Sequence, residues 1–294
     1  MSKTLFAPGH TACAGCGQSM AARLVLDAAG PNTIIVNNTG CLEVFSTKYP
    51  ESSWEVPFIH SLFENAAAVA SGVESAIKYL GKADNINIIA QGGDGSSADI
   101  GLQALSGMLE RGHNILYVCY DNEAYMNTGV QRSGLTPFDT NTTTSPAGIA
   151  SIGNLRPKKP MPEIANAHGI PYVAVASSGF GQDLQRKVKK ALSIKGPKYI
   201  QVHAPCPLGW RHETNLTIQV AKLAVETGLY PLIEYENGAL SVRRQITPKP
   251  VEEYLKTQGR FKHLLNKPEE IKKIQDIADN NIKKYGLRAE AQGV

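Results

Sequence analysis

Four of the five cysteines are spaced for metal or redox chemistry. Cys13 and Cys16 form a Cys-x-x-Cys pair, and Cys41 and Cys206 each follow a short apolar run far downstream. A pair at this spacing serves a redox dithiol, a zinc ion or an iron–sulfur cluster. Four thiolates suit either a structural Zn²⁺ or a [4Fe-4S] cluster, and spacing alone does not choose between them. Cys119 lies inside the run Leu-Tyr-Val-Cys-Tyr and reads as a small buried hydrophobe. A second constellation is Gly93-Asp94-Gly95, directly after an apolar run and followed by Ser96, Ser97 and a helix start near Asp99. Glycines let backbone amides approach a phosphate, and a helix start adds a favourable dipole. A carboxylate in that position calls for a cation between it and the phosphate. Mg²⁺ binds in this manner, through one or two carboxylates plus phosphate oxygens. Taken alone, the triplet is more often a plain turn. The next apolar run ends at Asp121-Asn122, where Asn122 can supply an amide oxygen and Ala124 its carbonyl as further ligands.

These residues must be positioned by the elements around them. The pattern predicts helices over 19–29, 62–80, 99–111, 161–168, 182–194 and 215–228. Strands are expected at Thr33–Thr39, Asn87–Ala90, Asn114–Tyr120, Tyr172–Ala176 and Tyr199–Val202, with a long polar loop over 121–159. Short apolar strands alternating with helices imply an α/β fold: a mostly parallel sheet flanked by helices. Strand exits then share one edge, where ligands bind. Cys41, Asp94, Asn122 and Cys206 all follow strands, and Cys13 and Cys16 precede the first helix. Beyond about 230 the pattern changes to a turn at Tyr230-Pro231, a strand pair around Asn237-Gly238 and a basic helical stretch after Pro248 and Pro250. The expected division is a domain over 1–232 and a C-terminal extension over 233–294, read as a subunit-contact arm.

Composition excludes several classes. The 294 residues are 42% hydrophobic, enough for a large core, and no run is long enough to span a membrane. No apolar stretch follows Met1-Ser2-Lys3-Thr4, so a signal peptide is not expected and a cytoplasmic location is. A formal charge of +4 spread over this length argues against a nucleic-acid partner. An odd number of cysteines in such a protein argues against a disulfide framework. His10, His60 and His203 read as packing or hydrogen-bonding residues; His10 lies nearest the cysteine pair, where it could tune a metal centre.

Between Gly95 and Asn122 lie 26 residues, a spacing similar to the thiamine-diphosphate signature, although Asp121 stands where that signature usually has a first Asn. The segment Asn122-Glu123-Ala124-Tyr125-Met126-Asn127-Thr128-Gly129-Val130-Gln131 resembles the metal loop of the pyruvate:ferredoxin oxidoreductase family. So do Cys13-Ala14-Gly15-Cys16-Gly17, Ala204-Pro205-Cys206-Pro207-Leu208-Gly209-Trp210, Thr142-Thr143-Thr144-Ser145-Pro146 and Ser61-Leu62-Phe63-Glu64-Asn65. Leu208 replaces a commoner Thr, and Gln18 stands where many relatives carry an acidic residue or histidine. The resemblance covers roughly residues 8–232.

The resemblance implies the β subunit of a 2-oxoacid:ferredoxin oxidoreductase with the thiamine-diphosphate-binding fold. Cys13, Cys16, Cys41 and Cys206 would hold one [4Fe-4S] cluster, and a one-electron acceptor has a purpose beside thiamine that a closed zinc site lacks. Asp94, Asn122 and the Ala124 carbonyl would hold Mg²⁺. Gly40, Val44, Gly93, Gly95, Ser96, Asn127 and Thr128 would complete the cofactor site. Asn127 would hydrogen-bond the substrate or intermediate, Val44 would buttress the cofactor and Glu64 would help shape the active site. The implied reaction is oxidative decarboxylation or cleavage of a small 2-oxoacid, with electrons passing through the cluster to ferredoxin and coenzyme A as the usual acyl acceptor. Pyruvate is the first choice; oxalate and branched-chain 2-oxoacids are the alternatives. Implied partners are an α subunit supplying the glutamate that activates the pyrimidine, a γ subunit and a ferredoxin-like δ subunit or fused equivalents, arranged as a dimer of heteromers. A non-redox thiamine decarboxylase or synthase would explain Asp94 and Asn122 but not the cysteines. A zinc-stabilised scaffold would explain only the cysteines.

Overall fold

Four strands buried on both faces form the centre of the protein, and their near-continuous apolar sequences are the reason they sit there. They are β3 (Asn87–Gly93), β4 (Leu116–Asp121), β5 (Tyr172–Ser177) and β6 (Lys198–His203). The computed structural model describes residues 4–289. Its eight-stranded sheet adds β1 (Thr33–Asn37), β2 (Phe58–His60), β7 (Ile233–Glu236) and β8 (Ala239–Arg243), in the order β2-β1-β3-β4-β6-β5-β7-β8. The first six run parallel, while β7 and β8 are antiparallel. The β7–β8 turn is Asn237-Gly238, both residues at positive φ, as a tight hairpin of right-twisted strands requires.

Helices cover both faces. α1 (Gly17–Ala29) and α6 (Gly181–Ser193) pack on one side around Leu26, Leu184 and Val188. α3 (Ala66–Tyr79), α4 (Leu102–Glu110) and α5 (Met161–Asn166) cover the other around Ala70, Leu105 and Met108. The small residues of α3 set its close approach to β3.

Several elements differ from expectation. The six-residue helix α2 (Cys41–Ser46) and edge strand β2 escaped the periodicity because each is too short to establish one. Asn65 precedes α3, which starts four residues later than expected. Its side chain accepts from the Leu62 amide at 3.0 Å and donates to Ser61 at 3.1 Å, folding 61–65 into a loop. The helix after the Gly-Asp-Gly triplet begins as a π-helical turn, Ser96–Ile100, before α4.

The chain past residue 232 packs into the body. β7 and β8 extend the sheet. A second core joins Trp210 of α7 (Pro207–Trp210) and Val220 of α8 (Thr217–Glu226) to Tyr254, Phe261, Ile274 and Ile282 from α9 (Val251–Leu255), the 3₁₀ turn Gly259–Leu264 and α10 (Pro268–Tyr285). The apolar residues of 233–289 that do so are separated by polar ones, which is why the sequence pattern reads there as an extension. Among the described residues no helix is long and apolar enough to cross a membrane.

Ile200 lies wholly buried on β6, whereas Leu80 at the end of α3 is 60% exposed. Ile200→Ala should cost about 2–5 kcal/mol in denaturant unfolding, and Leu80→Ala less than about 0.5 kcal/mol. Equal effects would contradict the placement of the core.

Candidate functional site

Parallel pairing brings the exits of four strands to one rim. Asn37 pairs with Gln91, Gly93 with Tyr120, and Asp121 with His203. The segments that leave β1, β3, β4 and β6 there carry Gly40-Cys41, Asp94-Gly95, Asn122–Ala124 and Ala204–Cys206.

The Gly93 carbonyl accepts from the Ser96 hydroxyl at 3.0 Å and from the Ser97 hydroxyl at 2.6 Å, closing the turn after β3. A methyl group on Gly93 would meet nothing within 4 Å, so open space faces this residue. One on Gly95 would lie 2.3 Å from the Tyr125 ring, which covers the turn. The Tyr125 hydroxyl donates to Asp99 at 3.0 Å.

Three oxygens meet beside this turn. The Asn122 side-chain oxygen lies 2.8 Å from Asp94 Oδ1 and 2.8 Å from the Ala124 carbonyl. Oxygens this close repel, and two arrangements relieve them. The amide can turn over so that its nitrogen donates to both, or a cation can sit between them. Adjacent ligands of octahedral Mg²⁺ stand about 2.9 Å apart, so the donor set fits that ion. Asp94 is 1% exposed, and its other oxygen accepts a short hydrogen bond from Ser133. Burial, then the nearby Asp121 carboxylate, push its pKa well above the carboxylate range. A bound cation would offset both effects.

Asp121, the departure from the thiamine signature, is a buried strut. Oδ2 accepts from Lys158 Nζ at 2.8 Å, Gln201 at 2.8 Å and the Tyr230 hydroxyl at 3.0 Å; Oδ1 accepts from the Glu123 amide at 3.1 Å. Glu123 has φ +69°, a left-handed conformation uncommon for its type. Its carboxylate accepts from Lys158 at 2.7 Å and from Arg260 at 2.5 Å. Burial opposes ionisation of Glu123, but Lys158 and Arg260 outweigh it and bring the pKa to about 2.

Cys13, Cys16, Cys41 and Cys206 line one cavity of about 140 Å³, together with Gln18, Val44, Asn122 and Asn127. Two glycines allow this. A methyl group on Gly17 would lie 2.8 Å from the Pro205 backbone, and one on Gly15 would lie 2.2 Å from the Thr214 carbonyl, so the Cys-x-x-Cys loop presses against the Cys206 turn. Burial first, then the other thiols, push Cys41 up to about 12. Burial pushes Cys206 up to about 11, against the favourable 3.4 Å hydrogen bond its sulfur accepts from the Gly209 amide. Metal coordination is what would deprotonate such thiols. Among the described residues, no three His, Cys, Asp or Glu side chains are gathered closely enough to enclose a single ion.

The remaining candidates divide. Val44, one turn into α2 and 44% exposed, and Asn127 stand on the thiol cavity. Gly40 faces open space at the start of α2. Thr128 is tied within its own loop, donating to Gln131 at 2.5 Å. Glu64 sits half-buried on the loop before α3 and is not among the residues lining the thiol cavity. Thr143 donates to the Gly129 carbonyl at 2.9 Å and Thr144 accepts from the Arg132 amide at 2.9 Å, so these hydroxyls satisfy loop backbone. His10 packs between Phe6 and Phe45, His60 meets Thr39 at 2.8 Å, and Cys119 is buried in the core. Lys158, Ser133, Trp210 and Arg260 escaped the sequence reading. Trp210 lay in a quoted motif, but nothing near Arg260 in the sequence signals a site.

Residues 14–202 match the family model for the thiamine pyrophosphate enzyme, C-terminal TPP binding domain. That match, with the rim just described, defines the class: a thiamine pyrophosphate-binding enzyme fold. Pyruvate synthase subunit PorB of Methanosarcina barkeri is 61% identical over 290 residues, covering 97% of this chain and 98% of that one. PorB of Methanocaldococcus jannaschii is 58% identical, covering 96% of each. Ketoisovalerate oxidoreductase subunit VorB of Pyrococcus abyssi is 48% identical over 90% of this chain and 88% of its own. Among solved structures, 2-oxoglutarate:ferredoxin oxidoreductase from Magnetococcus marinus shares the fold, with TM-score 0.55 and 23% identity over 72% of this chain and 77% of that one. The chain belongs to the β-subunit family of the 2-oxoacid:ferredoxin oxidoreductases.

His203 is fully buried without a hydrogen-bond partner, and burial lowers its pKa to about 3. Between pH 6.5 and 3 the unfolded chain binds a proton there that the folded chain refuses, so stability falls as pH falls. From pH 7.5 to 5.5, urea unfolding should show the unaltered protein losing about 1.4 kcal/mol more than His203→Leu. A difference between the two that is independent of pH would refute a neutral His203.

Proposed function

We propose that this chain is the thiamine-binding β subunit of a pyruvate:ferredoxin oxidoreductase. The observation that carries the reading is the rim itself, where the Asn122 side chain lies 2.8 Å from both Asp94 Oδ1 and the Ala124 carbonyl and also lines the cavity of the four thiols. Asp94, Asn122 and the Ala124 carbonyl hold the metal, and the open face at Gly93 and the turn at Gly95-Ser96 receive the diphosphate. Cys13, Cys16, Cys41 and Cys206 hold the [4Fe-4S] cluster. When bound, thiamine diphosphate supplies a carbon nucleophile and an electron sink, and the cluster supplies one-electron capacity.

The chain's own side chains orient and exclude. Asn127 offers its amide to the substrate's oxygens on the cavity side. Val44 walls the cofactor space next to Cys41, and Gly40 leaves room beside it. Thr128 holds the loop that presents Asn127. Glu64 stands farther out and shapes the entrance.

Pyruvate is the favoured substrate because both PorB relatives match along nearly their whole lengths, and a branched-chain 2-oxoacid is the second reading on the strength of VorB. Coenzyme A accepts the acyl group. Partner subunits complete the enzyme: an α subunit bringing the glutamate for the pyrimidine, a γ subunit and a ferredoxin-like δ subunit leading electrons to ferredoxin. The outer face of residues 233–289 contacts one of them in a dimer of heteromers.

The complex purified anaerobically should contain about four iron atoms attributable to this chain, bound thiamine diphosphate, and a preference for pyruvate over 2-oxoisovalerate. Asp94→Ala should lose thiamine diphosphate and more than about 100-fold of the activity while keeping its iron. Cys206→Ala should lose iron first. Full thiamine content in Asp94→Ala, or full iron content in Cys206→Ala, would overturn the corresponding ligand set.

A further inference from the structure

Arg260 lies far along the chain from every motif of the site, in the 3₁₀ turn Gly259–Leu264, yet it is 2% exposed and reaches both metal-binding segments. On one side its Nη2 donates to Glu123 Oε2 at 2.5 Å. Glu123 separates Asn122, whose side chain lies 2.8 Å from Asp94 Oδ1, from Ala124, whose carbonyl lies 2.8 Å from that same side chain. Its backbone between them is left-handed, and a non-glycine residue keeps that conformation only where its surroundings impose it. On the other side the guanidinium lies 3.7 Å from the centre of the Trp210 ring. Trp210 ends the short helix headed by Cys206, and its indole nitrogen donates to the Asn122 carbonyl at 2.8 Å.

Backbone contacts reinforce the arrangement. The Gly259 amide donates to the Arg211 carbonyl at 3.0 Å, and a methyl group on Gly259 would lie 2.7 Å from the Arg211 Cβ. Gln258 fixes the arginine by accepting from Nε at 2.9 Å, and the Tyr254 hydroxyl accepts from Nη2 at 3.2 Å.

We propose that Arg260 is a positioning residue that ties the Asn122–Ala124 loop to the Cys206–Trp210 turn and so fixes the two metal centres relative to each other. The inference rests on the reading of the site given above. The planar guanidinium is suited to this because it stacks on an indole while donating in its own plane to a carboxylate; an ammonium group cannot do both. Arg260 touches neither cofactor site directly. It acts through Glu123 and Trp210.

The test uses the whole complex, freed of divalent metal and thiamine diphosphate by chelation and dialysis. Mn²⁺ is titrated in the presence of thiamine diphosphate and followed by electron paramagnetic resonance, and the spectrum of the reduced cluster is recorded beside it. Arg260→Met and Arg260→Lys should both keep their iron, weaken Mn²⁺ binding about 10–100-fold and shift the cluster spectrum. Excess Mn²⁺ should restore thiamine diphosphate binding. A residue serving only general stability would lower the melting temperature and leave both readouts unmoved, which would overturn the inference. So would Arg260→Lys matching the unaltered complex in both. If Arg260→Met does not assemble, Arg260→Lys decides alone on the same two readouts. An unaltered complex that binds no thiamine diphosphate would instead sink the functional reading.

Discussion

Three carboxylates, Asp94, Asp121 and Glu123, are buried within a few residues of the rim, and buried charge is tolerated only when it is paired. Two cations answer them. Lys158 bridges Asp121 and Glu123, and Arg260 takes the second oxygen of Glu123. Asp94 is held by a serine hydroxyl, and its remaining oxygen faces the Asn122 side chain. The imbalance is local and directional, and it falls where a divalent ion would carry a diphosphate. The carboxylates of Asp121 and Glu123 are closed by ion pairs, while among the described residues no ion pair closes on Asp94. The rest of the structure serves to keep these groups at one edge of a parallel sheet.

Much of this was legible in the sequence. Gly93-Asp94-Gly95, Asn122, Cys41 and Cys206 could be placed at strand exits from alternation alone, and the parallel sheet then brought them to one edge, whereas Cys13 and Cys16 precede the first helix. The glycines of the cysteine pair were legible as a motif but not as close contacts. Only the structure shows Gly15 and Gly17 pressed against Thr214 and Pro205. Asp121 read as a departure from a signature, and its role as a strut depends on Lys158, Gln201 and Tyr230, which local patterns do not link to it.

What the sequence hid has physical causes. α2 and β2 are each shorter than two periods of the pattern that would reveal them. The π-helical turn after Gly95 has no compositional mark. Residues 233–289 look peripheral because they are polar at many positions, yet their scattered apolar side chains complete a core with Trp210. Arg260 is the extreme case: a charged residue in a short turn, whose burial follows from tertiary packing alone.

The position of that turn has a bearing on biosynthesis. A ribosome delivers Asp94 and Asn122 early and the 259–264 turn near the end. A growing chain therefore carries Asp94, Asn122 and Ala124 long before the guanidinium that pairs with Glu123 has been made. Fragments truncated ahead of residue 259 lack both the Glu123–Arg260 pair and the guanidinium stacked on Trp210.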